Sequence, residues 1–304
     1  MRYSVNLLDA AIDPIDWARR REAEGWNGLS VADHVFTGRR AYPHVWVTAT
    51  AIAMATTRPT ISTGFANNLF RSPVEVAQAA LQLQRVSRGR FELGLGAGWA
   101  EDEVTGSGLT HPPPAVRAGM FAESAQIIRS LLHDGTCTFH GDHYDIDVPR
   151  IGPRLVDEGL APPLLIGSVG GPRTSREVTP FLDRVEIKAQ SAATRHGALD
   201  LAVMAAVPDD HLLEMIERVR GVNPDIEITM FTLFSVGDDD ATRNLKAAMD
   251  AGGGLFRRFF GSADEVAAGI GWLESLGISG VSLSPMTDHA LEALAPAVVE
   301  PWTP

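Results

Sequence analysis

Gly89-Arg90-Phe91-Glu92-Leu93-Gly94-Leu95-Gly96-Ala97-Gly98-Trp99 reads as a β-strand running straight into a glycine-rich turn. Glycine has no Cβ, so a strand end with glycines at 94, 96 and 98 lets a flat or phosphorylated ligand approach the backbone closely. The spacing is G-x-G-x-G, not the dinucleotide G-x-G-x-x-G, which argues against a Rossmann site. Close packing of a helix on the strand explains the same glycines, so the run needs its surroundings.

Outward from this strand, β and α patterns alternate. Upstream, strands are predicted over residues 3–7, 28–32 and 60–67. Helices are predicted over 14–24, 45–57 and 73–87, the first with Asp13 as N-cap, Pro14 at N1 and Gly25 as its stop. Downstream, a helix over 115–133 follows the Pro112-Pro113-Pro114 stop. The spacing then breaks. Thr138-Phe139-His140-Gly141-Asp142-His143-Tyr144-Asp145 alternates like a small hairpin, and prolines follow it. Alternation resumes with strands over 163–168, 184–190, 227–234 and 280–284, among helices over 172–182, 209–220, 239–251, 263–276 and 288–299. Eight strands predict an α/β fold: a (β/α)8 TIM barrel with an insertion after helix 4. It is expected to span 1–304 as one barrel domain, with an excursion at about 136–162, and an open doubly wound sheet is the second choice.

At 304 residues, 45% apolar and 21% charged, the chain is long enough to bury a large core. No stretch approaches about 18 uninterrupted apolar residues, and the first residues carry no apolar leader, so a soluble cytoplasmic protein without a membrane span is expected. The net charge of −12 argues against general nucleic-acid binding. Cys137 is the only cysteine and can form neither an internal disulfide nor a cysteine metal site. His140, Asp142, His143, Asp145 and Asp147 have ligand chemistry but no fixed metal-site spacing, so no metal is expected. There is no G-x-S-x-G elbow and no P-loop.

A barrel collects function just after its strands' C-terminal ends. That rule selects Asp33 and His34 after the second strand, residues 65–68 after the third, Gly96 to Trp99 after the fourth, and Ser168 to Gly171 after the fifth. Imidazole titrates near neutrality, which suits His34 to proton transfer, although a plain loop histidine beside a turn aspartate reads the same way. Ser168-Val169-Gly170-Gly171-Pro172-Arg173 leaves a strand and opens a helix, a pattern shared by phosphate cradles and ordinary Gly-Gly turns. In the sixth strand Glu186, Lys188 and Gln190 alternate with apolar residues. They either face the upper lumen and line a substrate pocket or mark a gap in the helix ring.

With these residues in place, the chain resembles the luciferase-like monooxygenase superfamily, in particular its coenzyme F420-dependent branch. Residues 87–99 with Glu101 and Glu103 carry the resemblance most strongly. Val31-Ala32-Asp33-His34, Ser62-Thr63-Gly64-Phe65-Ala66-Asn67, His140-Gly141-Asp142-His143-Tyr144 and Gly261-Ser262-Ala263-Asp264-Glu265-Val266 support it. The resemblance implies a deazaflavin or flavin ring at the barrel mouth, a non-proline cis peptide at Phe65-Ala66, and a phosphate at the turn after the fifth strand. The implied cofactor contacts are Phe65, Ala66, Asn67, Gly96, Gly98, Trp99, Asp102, Ser168, Val169, Gly170, Gly171 and Arg173, with His34 and Asp33 at the reactive centre. Some relatives carry a glutamate acid where this chain has Trp99, which leaves His34, or groups borne by the substrate, as the better proton-transfer candidate. The implied activity is hydride exchange between coenzyme F420 and a small-molecule substrate. An FMN-dependent monooxygenase and a non-catalytic flavin-binding barrel are the alternatives, and a homodimer is implied by resemblance alone.

Overall fold

The computed structural model describes residues 1–194 and 199–301. Eight parallel strands form its centre: β1 Arg2–Leu7, β2 Gly28–Val31, β3 Thr60–Thr63, β4 Phe91–Gly96, β5 Leu164–Val169, β6 Arg184–Ile187, β7 Glu227–Val236 and β8 Gly280–Pro285. Each pairs with the next in chain order. Pairing of β8 with β1, Leu283 opposite Val5, closes the barrel. The predicted (β/α)8 architecture is therefore the observed one, and the open sheet is excluded.

Around it run α1 Pro14–Glu24, α2 Val45–Ala55, α3 Pro73–Val86, α4 Glu101–Gly106, α5 Pro114–Asp134, α6 Pro172–Val178, α7 Leu201–Ala205, α8 Asp209–Arg220, α9 Asp240–Gly252, α10 Ala263–Ser275 and α11 Ala290–Val298. Local sequence sets many of their ends. The Asp13 carboxylate accepts from the Ile15 and Asp16 amides at 2.9 and 3.0 Å, and Gly25 stops α1 at φ 98°, where a side chain would be strained. The Ser262 hydroxyl and Glu265 carboxylate form a reciprocal capping box on α10.

The apolar core lies between the outer barrel wall and the helices, with Leu29, Ile61, Leu93, Phe121, Ile128 and Leu131 fully buried. Each such side chain contributes about 1.5–3 kcal/mol on burial. The lumen is polar. At its N-terminal end Arg184 reaches Glu92 at 2.9 Å and Glu227 at 2.7 Å, and Arg2 adds a 2.9 Å bond to Glu92. This network ties β1, β4, β6 and β7 together on the side opposite the mouth.

The excursion is a two-stranded hairpin, Cys137–His140 against Asp145–Val148, as the alternation predicts. Three further differences concern the mouth. The third strand stops at Thr63 and re-pairs only at Ala66–Asn67, the sixth stops at Ile187, and α4 adds a short helix between the fourth strand and the helix expected over 115–133. Among the described residues no helix is long and apolar enough to cross a membrane.

Candidate active site

At the end of β3 the Gly64 amide still donates to the Val31 carbonyl at 2.8 Å. Gly64–Phe65 is a cis peptide bond, and the chain then rejoins β4 with Ala66 opposite Leu95 and Asn67 opposite Gly96. The cis bond thus lies one residue before the Phe65-Ala66 position that the resemblance implies. Ala66 is already held in the ladder, so the irregular link falls ahead of Phe65, at a glycine whose Cβ would collide with Ser30 Oγ. Asp33 fastens this turn from below. Its buried carboxylate accepts from the Asn67 amide at 2.8 Å and from Arg71 Nη1 at 2.6 Å.

The strand-four glycines make room for this neighbouring turn. A Cβ on Gly94 would strike the Thr63 carbonyl and the Phe65 ring, and one on Gly98, at φ 78°, would lie 2.5 Å from Asn67 Oδ1. Only Gly96 meets ordinary contacts, 3.4 Å to Phe65 Cβ and 3.8 Å to Ser168 Cβ. Gly94 and Gly98 therefore make room for the end of β3 and the turn that follows it, and Gly96 stands between Phe65 and Ser168 on the mouth.

His34 is half-buried and held on three sides. Its Nδ1 lies 2.6 Å from Glu103 Oε1 on α4, and its ring meets Tyr42 at 5.0 Å and Trp99 at 5.5 Å between centroids. Glu103 is only 1% exposed, and its second oxygen accepts from the Val35 amide at 3.0 Å. A carboxylate accepting this bond takes it from Nδ1–H, and Nε2 is the ring nitrogen without a hydrogen-bond partner among the described residues. Sequence reading missed this role because Glu101, Asp102 and Glu103 look alike as an acidic first turn. Helical phase turns Glu103 inward and leaves Asp102, the predicted contact, exposed. Asp33, although adjacent to His34, binds the strand-three turn instead.

Glu186 and Gln190 are both 4% exposed, so neither sits at an exposed gap in the helix ring, and Glu186 lies beside Ser30, Thr229 and Ser282 in the lumen. Lys188 is half-buried, with Nζ 4.9 Å from the centre of the Phe65 ring and 4.6 Å from that of Phe231. Ser282 donates a short hydrogen bond to Glu186, leaving Glu186 Oε1 without a partner, and Gln190 Oε1 has none either. Burial pushes the Glu186 carboxyl above its usual range against the opposing pull of Lys188. Burial also lowers the Lys188 ammonium, against the opposing field of Glu186.

The turn after β5 is more engaged than its sequence suggests. The Gly171 amide donates to Thr174 Oγ1 at 3.3 Å, and exposed Arg173 pairs with Glu177 at 2.7 Å. Gly170 packs toward Ser191, and Val169 is buried in the β5–β6 ladder. The excursion reaches this side of the mouth. Glu123 on α5 accepts from the amides of Asp142, His143 and Tyr144 at 2.8, 2.9 and 3.1 Å, and the Tyr144 hydroxyl accepts from Asn68 Nδ2 at 3.3 Å.

This barrel, with its interrupted third strand and mouth-facing histidine, matches a family model described as luciferase-like monooxygenase over residues 9–272. The chain belongs to that family. A curated relative, an F420-dependent glucose-6-phosphate dehydrogenase of Amycolatopsis mediterranei, is 31% identical over 164 residues, 53% of this chain and 48% of the relative. The chain thus spans about half the length of the curated relatives it matches. Among solved structures, an F420-dependent secondary alcohol dehydrogenase bound to an F420-acetone adduct superposes with a TM-score of 0.74 at 21% identity, covering 98% of this chain and 99% of that one. A monooxygenase from Streptomyces bottropensis gives 0.72 at 17% identity, with 97% and 98% covered. At these identities the two structures establish the shared fold. The family description places the chain among luciferase-like oxidoreductases.

Proposed function

We propose that the chain is a coenzyme F420-dependent oxidoreductase that exchanges a hydride between the deazaflavin and a small organic substrate. The carrying observation is the buried carboxylate of Glu103 holding His34 at the barrel mouth, 2.6 Å from Nδ1, with Nε2 left for proton transfer. The similarity to F420-dependent relatives supports the cofactor.

The residues at the mouth fit such a group. Gly96 presents no side chain between Phe65 and Ser168, and Gln190 Oε1 is a buried acceptor without a partner, suited to an N–H edge of a heterocycle. Phe65, Ala66, Asn67, Gly96 and Trp99 would hold the ring, and Ser168 to Gly171 with Arg173 would lie toward its phosphate. When bound, F420 supplies the hydride chemistry. The chain's own residues do the rest. The Asp33–Arg71 pair fixes the turn that carries Phe65. Glu103, Tyr42 and Trp99 fix the imidazole, and His34 Nε2 gives or takes the proton that accompanies hydride transfer at a carbonyl or alcohol. Glu186 and Lys188 floor the substrate pocket.

Fluorescence titration of the purified protein with F420 and with FMN tests the cofactor. Tight binding of F420 is expected, and tight binding of FMN alone favours the monooxygenase reading that the Streptomyces bottropensis likeness supports.

A further inference from the structure

The wall of the mouth that carries His34 pairs its polar atoms with one another. The Tyr42 hydroxyl meets Thr37 Oγ1 at 2.8 Å, and Asn67 Oδ1 accepts from the Leu69 amide at 3.0 Å. Both carboxylates beside the imidazole are engaged, Asp33 by Asn67 and Arg71, and Glu103 by His34 and Val35. Among the described residues, His34 Nε2 and the Trp99 indole N–H are the polar groups of this wall that make no hydrogen bond.

What the wall leaves exposed is hydrocarbon. The imidazole stands between the Tyr42 ring, tilted by 52° at 5.0 Å, and the Trp99 ring, met edge-on at 75° and 5.5 Å. Leu69 packs on Gly98, the residue before Trp99, with its Cδ1 2.9 Å from where a Cβ on that glycine would lie. Trp99 and Leu69 are half-buried, and Val35, next to His34, is 52% exposed. The facing strand adds two more rings. Phe65 and Phe231 lie 4.9 and 4.6 Å from Lys188 Nζ, and burial disfavours the charged form of Lys188 as it does that of Glu186.

We propose that the mouth takes a substrate whose reacting carbon carries an apolar planar group, an aryl ketone or aldehyde or the matching alcohol, and that Trp99 selects it. An aryl ring against Trp99 and Tyr42 exchanges water for apolar surface and strands no polar atom of the wall, while the carbonyl or hydroxyl oxygen meets His34 Nε2. A polyhydroxylated chain in the same place would lose its water to groups already paired with one another, and burying a hydroxyl without a partner is unfavourable. The reaction rests on the oxidoreductase reading, and the substrate class rests on the wall.

The test measures binding and turnover side by side. Calorimetric titration with acetophenone and with dihydroxyacetone, in the presence and absence of oxidised F420, gives affinities. Anaerobic oxidation of reduced F420 by acetophenone and by acetone gives kcat/KM for an aryl and a small alkyl ketone. Acetophenone should bind the wild type roughly tenfold or more tightly than dihydroxyacetone, and Trp99→Ala should weaken acetophenone binding by about tenfold, as loss of an aromatic contact and its buried area implies. The acetophenone-to-acetone ratio of kcat/KM should fall by a similar factor in Trp99→Ala and hold in Trp99→Phe. Equal affinity for acetophenone and dihydroxyacetone in the wild type overturns the substrate class. A Trp99 that only props His34 lowers both ketones by one factor, and an unmoved ratio therefore overturns its selecting role. If Trp99→Ala does not fold, Trp99→Gln replaces it. Acetophenone binding without any F420 binding removes the cofactor reading and leaves the substrate class standing, whereas F420 turnover confined to hydroxylated compounds removes the substrate class and leaves the cofactor reading.

Discussion

Glu103 Oε1 lies 2.6 Å from His34 Nδ1, although 69 residues separate them in the chain. The bond joins the first turn of a six-residue helix to the loop after β2, and it sets which imidazole nitrogen faces the mouth. His34→Ala is expected to lower turnover by about 10²–10⁴-fold, the range for loss of a positioned acid or base, with F420 affinity little changed. Steady-state kinetics beside fluorescence titration checks this. Equal turnover in both proteins removes His34 from the mechanism.

Glu103 predicts a tautomer. Nitrogen-15 NMR of the neutral His34 ring should show Nδ1 protonated in the wild type, because an ionised carboxylate accepts but does not donate. Glu103→Leu should lose that preference and also leave the Val35 amide without its partner. An unchanged ring signature in the variant contradicts the orienting role.

Asp33 sits beside His34 in sequence, yet its carboxylate holds Asn67 and Arg71. Asp33→Ala should cost about 1–3 kcal/mol of stability, the penalty for stranding buried hydrogen-bonding groups. F420 affinity should fall with it, because Phe65 loses its support. Denaturant unfolding and cofactor titration measure the two effects, and a fall in turnover alone would argue for direct chemistry by Asp33.

At the far end of the lumen, removing Arg184 leaves Glu92 and Glu227 to share Arg2, at 2.9 and 3.6 Å, as their cation. Arg184→Leu should destabilise the fold by about 1–3 kcal/mol and leave the F420 affinity of the folded fraction unchanged. A large affinity loss at full stability contradicts the separation of the barrel's two ends.

Glu186 gives a pH signature. Burial raises its folded pKa above the unfolded value, with Lys188 opposing, so the folded state holds more protons and stability falls as pH rises from the unfolded value toward the folded one. Glu186→Gln keeps the shape and removes the titration. The stability difference, wild type minus variant, should therefore decline with rising pH across that window. A flat difference contradicts a buried titrating carboxyl at this position.

Much of the fold was legible because β/α alternation and caps are local signals. Asp13, Pro14 and Gly25 bounded α1 correctly from adjacent residues alone. The mouth was less legible. Glu101, Asp102 and Glu103 are chemically interchangeable in sequence, and only the packing of α4 buries the last. The strand-three break was anticipated through resemblance but misplaced by one residue, since the re-pairing of Ala66 with Leu95 is a tertiary fact. Likewise the glycines at 94 and 98 look cleared for a ligand until the neighbouring turn is seen to fill the space.

The central claim is hydride exchange with a deazaflavin, and anaerobic absorbance spectroscopy of reduced F420 tests it most directly. Mixed with the protein and a panel of small carbonyl compounds, some bearing an aryl ring, reduced F420 should be reoxidised without oxygen by at least one compound, and not when His34→Ala replaces the wild type. Turnover that appears only with reduced FMN and oxygen would contradict it.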